Sequence, residues 1–200
     1  MKETDIHKVD NSSPQGRLGG ACTYIVLLRG INVSGKNKLP MAELREILNE
    51  LGFQNVQTYI QSGNIILDSG ETKEIVCQKI KEAIAAKFGY DVPVLARTPE
   101  EWKSTLESYP FSQENEKIVA FTFLDRVTKE SVIEVNGINE DKYEIVDDVV
   151  YLYCPSSFGS TKLTNNVIEK KLKVTATTRN LKTTIKLLEL AHPNLPKGKE

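Results

Sequence analysis

The sequence predicts an α+β protein of two ferredoxin-like subdomains in tandem, each a split βαβ unit with an antiparallel sheet and its helices on one face. Two observations carry that expectation. Between Tyr24 and Ala96, short apolar runs and helical apolar repeats follow one another as strand, helix, strand, strand, helix, strand. A similar succession returns between Ile118 and Ala191, so the repeat is one of topology rather than of residue identity. A third observation bounds the size. The 200 residues are 40% hydrophobic and 26% charged, enough apolar material for one domain or two small ones.

Residues 24–28 (YIVLL) form a nearly all-apolar run closed by Arg29-Gly30 and read as a central strand. Pro40 stands where a first helical turn tolerates it, Leu44, Ile47, Leu48 and Leu51 recur at helical spacing, and Gly52 stops the helix. Strands over 56–60 and 65–67 pair through the turn residues Gln61-Ser62-Gly63-Asn64. Val76, Ile80, Ile84 and Phe88 mark a second helix ending at Gly89, and 92–96 is a fourth strand. Thr98 is an N-cap for a short helix through Trp102 and Leu106.

The second succession runs as a strand over 118–124, a helix over 128–135, and strands over 143–146 and 149–153 paired across Asp147-Asp148. A helix carrying Leu163, Val167, Ile168 and Leu172 follows, then a short strand over 174–176 and a terminal helix through Leu181, Ile185, Leu188 and Ala191. The expected division is a disordered extension or tag-like leader over 1–22, an N-terminal subdomain over 23–98, a helical linker over 99–116, a C-terminal subdomain over 117–192 and a disordered tail over 193–200.

Composition removes several function classes. The 26 Lys and Arg against 27 Asp and Glu give a net charge of -1, so there is no whole-chain basic footprint for nucleic acid, although a local patch is compatible with it. No apolar run reaches the roughly 20 residues that span a bilayer, and the first residues hold no apolar signal core, so no membrane partner is expected and the cytoplasm is the expected location. Cys22, Cys77 and Cys154 are far apart and form no CxxC, and read as packing residues. The only histidines are His7 and His192, which leaves no Ser-His-Asp set and no His-rich metal site. No cofactor or metal is expected.

The stretch GINVSGKN, residues 30–37, has the glycine spacing and lysine of a phosphate-cradling P-loop, but Asn37 stands where the metal-binding hydroxyl belongs. The helix is expected to start near Pro40 rather than at Gly35-Lys36, and a tight hairpin follows that helix where a parallel crossover would be needed. A P-loop NTPase is therefore disfavoured. Gly30, Ser34, Gly35 and Lys36 remain suited to an anion-binding concavity.

Four stretches taken together, LLRGINVSGKNKLPMAELREILNELGF, VQTYIQSGNIILDS, STKLTNNVIEKKL and TATTRNLKTTIKLLEL, resemble the bacterial family catalogued as domain of unknown function 1697, from about Tyr24 to Leu190. Ser34 stands where that family usually has Gly, and Leu181 where it usually has Trp. The resemblance implies two ferredoxin-like subdomains and no established activity. Its recurrent polar positions fall on Arg29, Asn32, Lys36, Asn37, Tyr59, Gln61, Ser62, Gly63, Asn64, Lys162, Thr164, Arg179 and Asn180.

These residues are rich in cations, amides and hydroxyls and poor in acids. If the halves face each other, Lys36, Lys162 and Arg179 converge on one anionic ligand. The first functional expectation is thus a binding module for a phosphate-bearing ligand, nucleotide or nucleic acid, held by loops between the subdomains. An RNA-recognition sheet face is disfavoured because residues 63–67 carry no stacking aromatics. The alternatives are a protein-interaction or assembly module, and an enzyme of unrecognised class using Lys36, Tyr59 or Tyr151 for acid-base work with Arg179 stabilising charge. The bland alternative for each motif is structural: a hairpin turn at 61–64, a solvated helix start at Lys162, a helix cap at 178–180.

Overall fold

The computed structural model describes residues 20–33, 35–111, 117–155 and 157–192. The expected leader, apart from residues 20–22, the expected tail and Ser34 lie outside the described residues. The first half of the chain forms β1 (Cys22–Leu28), α1 (Met41–Glu50), β2 (Gln54–Tyr59), β3 (Asn64–Ser69), α2 (Lys73–Phe88) and β4 (Val94–Arg97). After α3 (Pro99–Glu107), the second half forms β5 (Val119–Leu124), β6 (Lys142–Val146), β7 (Val149–Tyr153), α4 (Asn165–Leu172), β8 (Ala176–Asn180) and α5 (Leu181–Ala191). The result is two four-stranded antiparallel sheets, ordered β2-β3-β1-β4 and β6-β7-β5-β8.

Both sheets are covered on both faces. On the first sheet, alternate side chains of β1 and β3 (Val26, Leu28, Ile65, Leu67) pack with Leu44 and Leu48 of α1 and Val76, Ile80 and Ile84 of α2. The other set (Ile25, Leu27, Ile66) packs with Trp102 of α3, with Leu181 and Leu187 of α5, and with Phe121 and Phe123 of β5. The helices α3 and α5 therefore form an inner layer between the sheets. Trp102 is fully buried there, stacked on Phe123 with ring centroids 4.3 Å apart, and its indole N–H donates to the Thr184 carbonyl at 2.8 Å. Six consecutive buried residues in β5 reflect a strand covered on both faces.

Local chemistry explains most boundaries. Thr98 caps α3 in a reciprocal capping box with Glu101. Gly89 closes α2 with φ 74°, the left-handed conformation of a helix C-terminus.

One expected element does not form. Residues 128–135 are not helical. This segment is rich in β-branched residues, which favour extended backbone, and it has tertiary anchors that fix it so. Ile133 is buried beside Ile168 and Leu172 of α4, and the Tyr143 hydroxyl accepts from the Ile133 N–H at 2.8 Å. The second half thus repeats the strand order of the first without its first helix. The strand expected over 174–176 lies instead at Ala176–Asn180 and runs directly into α5.

Candidate functional site

Three of the singled-out stretches meet at one point, and a buried guanidinium joins them. Arg179, at the end of β8, is 8% exposed. Its Nε donates to Asn64 Oδ1. Its Nη1 donates to Thr177 Oγ1 and the Thr178 carbonyl at 2.8 and 2.9 Å. Its Nη2 reaches the carbonyls of Leu28 (3.1 Å), Ser62 (3.0 Å) and Gly63 (3.4 Å). All six acceptors are neutral, and no carboxylate pairs with Arg179 among the described residues. Burial lowers the group to about 10, still well above neutral pH, and the acceptors favour the charged form. Arg179 is a cross-brace between the second sheet and the Leu28 and Gly63 ends of β1 and its hairpin.

The hairpin turn is shaped to sit there. Gly63 has φ 77°, and a Cβ on it would lie 2.6 Å from Leu28 Cβ. Only glycine meets both conditions. Asn64 is fully buried, and its side-chain amide donates to the Tyr59 carbonyl and to Ser62 Oγ.

The loop after β1 is held by its own asparagines. Asn32 and Asn37 are both left-handed, with φ 53° and 47°, which Asn tolerates better than most residues. Asn32 Nδ2 donates to the carbonyls of Leu39 and Gln61, and its Oδ1 accepts from the Leu39 N–H at 2.8 Å. Asn37 Nδ2 donates to the Gly30 carbonyl at 3.0 Å. Because α1 starts only at Met41, the glycine-lysine pair does not lead into a helix N-terminus as a P-loop does.

Between the two halves lies a cleft of about 1030 Å³. Arg29, Lys36, Asn37, Ser62, Thr164 and Arg179 of the expected residues line it. The first turn of α4 opens onto it, with Thr164 as N-cap accepting from the Val167 N–H. Here the macrodipole adds partial positive charge. The remaining expected residues do not line the cleft. Asn32 and Asn64 brace the loop and the turn, and Asn180 caps α5 by accepting from the Thr183 N–H at 2.9 Å. Tyr59 packs against the inner core, Gln61 offers its backbone carbonyl to Asn32, and Lys162 is exposed outside the cleft. Of the three cations expected to converge, Lys36 and Arg179 line the cleft and Lys162 does not; Arg29 lines it as well.

Sequence reasoning missed Asn165, Asn166, Glu169, Thr177 and Thr178, which also line the cleft. The signal for Glu169 lay in the helix period: Asn166 and Glu169 are three residues apart and share a face. Glu169 takes Arg29, with Nε to Oε1 at 3.1 Å and Nη2 to Oε2 at 2.8 Å, while Asn166 Oδ1 accepts from the same Nη2 at 2.8 Å. The cleft therefore holds three cations (Arg29, Lys36, Arg179) against two acids (Asp91, Glu169). Of those acids, Asp91 is paired with Lys81 at 2.9 Å.

Of the groups considered for catalysis, Lys36 and Arg179 line the cleft, while Tyr59 and Tyr151 belong to the inner core. Tyr151 lies in the inner core and lines a different cleft beside Glu100, Glu101, Asp147 and Asp148, and burial raises its phenol above the usual range. Burial likewise pushes Cys77 and Cys154 up to about 11, so neither is a poised thiolate. No group of three or more His, Cys, Asp or Glu side chains fit to hold a metal occurs among the described residues. No helix among them is long and apolar enough to cross a membrane.

Fold and site together define an α+β protein of two antiparallel sheets, braced through Arg179 and carrying a cation-lined cleft between its halves. The chain belongs to the family described as protein of unknown function (DUF1697), which matches residues 22–151. Thr164 and Arg179 lie beyond that match. Among solved structures the chain is similar to the conserved bacterial protein SP0830 from Streptococcus pneumoniae, at 26% sequence identity and a TM-score of 0.66, covering 86% of this chain and 99% of that one. No curated protein matches.

Proposed function

We propose that the protein is a binding module for a phosphate-bearing ligand, a nucleotide or a nucleic-acid phosphate, seated in the cleft between its halves. We read each half as ferredoxin-like, the second lacking its first helix, with the ligand taken by the loops and not by a sheet face. The observation that carries the reading is the lining of the cleft: Arg29 and Lys36 with the first turn of α4, and amides and hydroxyls from Asn37, Thr164 and Asn165, over a floor braced by Arg179. Lys36 is the exposed point charge, and no ion pair engages it among the described residues. Arg29 offers a planar fork suited to a phosphoryl group. Both sheets being covered on both faces supports binding between the halves over stacking on an open sheet.

The test is a thermal-shift panel of nucleotides, phosphorylated metabolites, short RNA and short DNA on the full chain. A ligand at about 100 times its dissociation constant adds about 2.7 kcal/mol of stability. The expected hit is lost in Lys36→Ala. A blank across the panel overturns the reading and favours a protein partner.

A further inference from the structure

We propose that Glu169 is a built-in competitor for the ligand: its carboxylate occupies the guanidinium fork of Arg29 where an anionic group of the ligand docks, so that binding exchanges one anion for another. This rests on the cleft reading above. The pairing is bidentate, through Nε and Nη2, the geometry with which Arg takes a carboxylate or a phosphoryl group. It joins opposite walls of the cleft, since Arg29 follows β1 and Glu169 lies on α4. The side chains are 22% and 23% exposed, so solvent screens the pair and keeps it exchangeable.

Glu169 is also not stranded when Arg29 leaves. Its Oε1 accepts from the Ala176 N–H at 2.9 Å, a bond that holds the carboxylate on the second half. Arg179, in contrast, has its donors committed to fixed backbone and amide acceptors and cannot exchange without opening the junction. Of the two arginines on the cleft, Arg29 alone is set to change partner.

The experiment is isothermal titration of the full-length wild type, Glu169→Gln, Arg29→Gln and Asp91→Asn with pyrophosphate. Gln keeps the oxygen that accepts from Ala176, and thermal melts of each variant confirm that it is folded. Glu169→Gln is expected to bind about fivefold tighter than wild type, the upper range for release of a partly exposed pair. Arg29→Gln is expected to bind more weakly than wild type. Asp91→Asn removes one charge from the same cleft without releasing Arg29 and is expected to change affinity less than twofold. If wild type binds and Glu169→Gln binds no tighter, the competitor is overturned and the cleft reading stands. The competitor is equally overturned if Asp91→Asn matches the gain of Glu169→Gln, or if Arg29→Gln leaves affinity unchanged. If neither wild type nor Glu169→Gln binds pyrophosphate, both readings fall.

Discussion

The floor and the mouth of the cleft each present an arginine, and the fold handles the two in opposite ways. Arg179 at the floor is buried among six neutral acceptors drawn from β1, the hairpin turn and β8. Arg29 at the mouth is partly exposed and faces a carboxylate. A guanidinium whose every direction is fixed by neutral acceptors of the fold is a structural brace. One that meets a carboxylate at a solvent boundary is screened and can exchange that partner. Residue type alone does not separate these roles, whereas burial and the chemistry of the acceptors do.

That contrast can be broken at four places. Arg179→Ala carries the largest expected effect on the fold. It leaves the Leu28 and Ser62 carbonyls and the Asn64 amide oxygen without their charged donor, and a loss of about 3–5 kcal/mol is expected by denaturant unfolding. Arg179→Lys is expected to recover only part of that, because an ammonium cannot span the fork. Gly63→Ala comes next, with about 1–3 kcal/mol expected from its positive φ and the approach to Leu28 Cβ. Arg29→Gln is expected to cost about 1 kcal/mol or less in unfolding measurements, since the Glu169 pair is solvent-screened, while binding of an anion weakens. Lys36→Ala is expected to leave stability within about 0.5 kcal/mol and to act on binding alone. If Arg179→Ala unfolds no more readily than Arg29→Gln, the distinction between floor and mouth is wrong.

Much of the first half is legible in the sequence because its signals are local. The apolar run at 24–28, the four-residue repeat before Gly89 and the N-cap at Thr98 each settle their element within a few residues. The segment over 128–135 is not legible in this way. Its apolar residues suit either state, and the contacts that hold it extended, from Ile133 to α4 and to Tyr143, come from outside the segment.

For the site, sequence brings Lys36, Ser62, Thr164 and Arg179 forward but does not divide bracing from lining. Asn32, Asn64 and Asn180 look like ligand-binding amides in the sequence and are engaged with backbone in the fold. The helix period sets Glu169 on one face with Asn166, but its pairing with Arg29 is not legible because 140 residues separate the two.

The most direct test of the cleft is a titration of isotope-labelled protein with pyrophosphate, followed by amide ¹H–¹⁵N shifts. The expected result is concentration-dependent change at Lys36, Asn165 and Asn166, on the two walls of the cleft, with the Trp102 indole in the inner core unmoved. Shifts confined to other surfaces, or none at pyrophosphate concentrations that saturate a millimolar site, would contradict it.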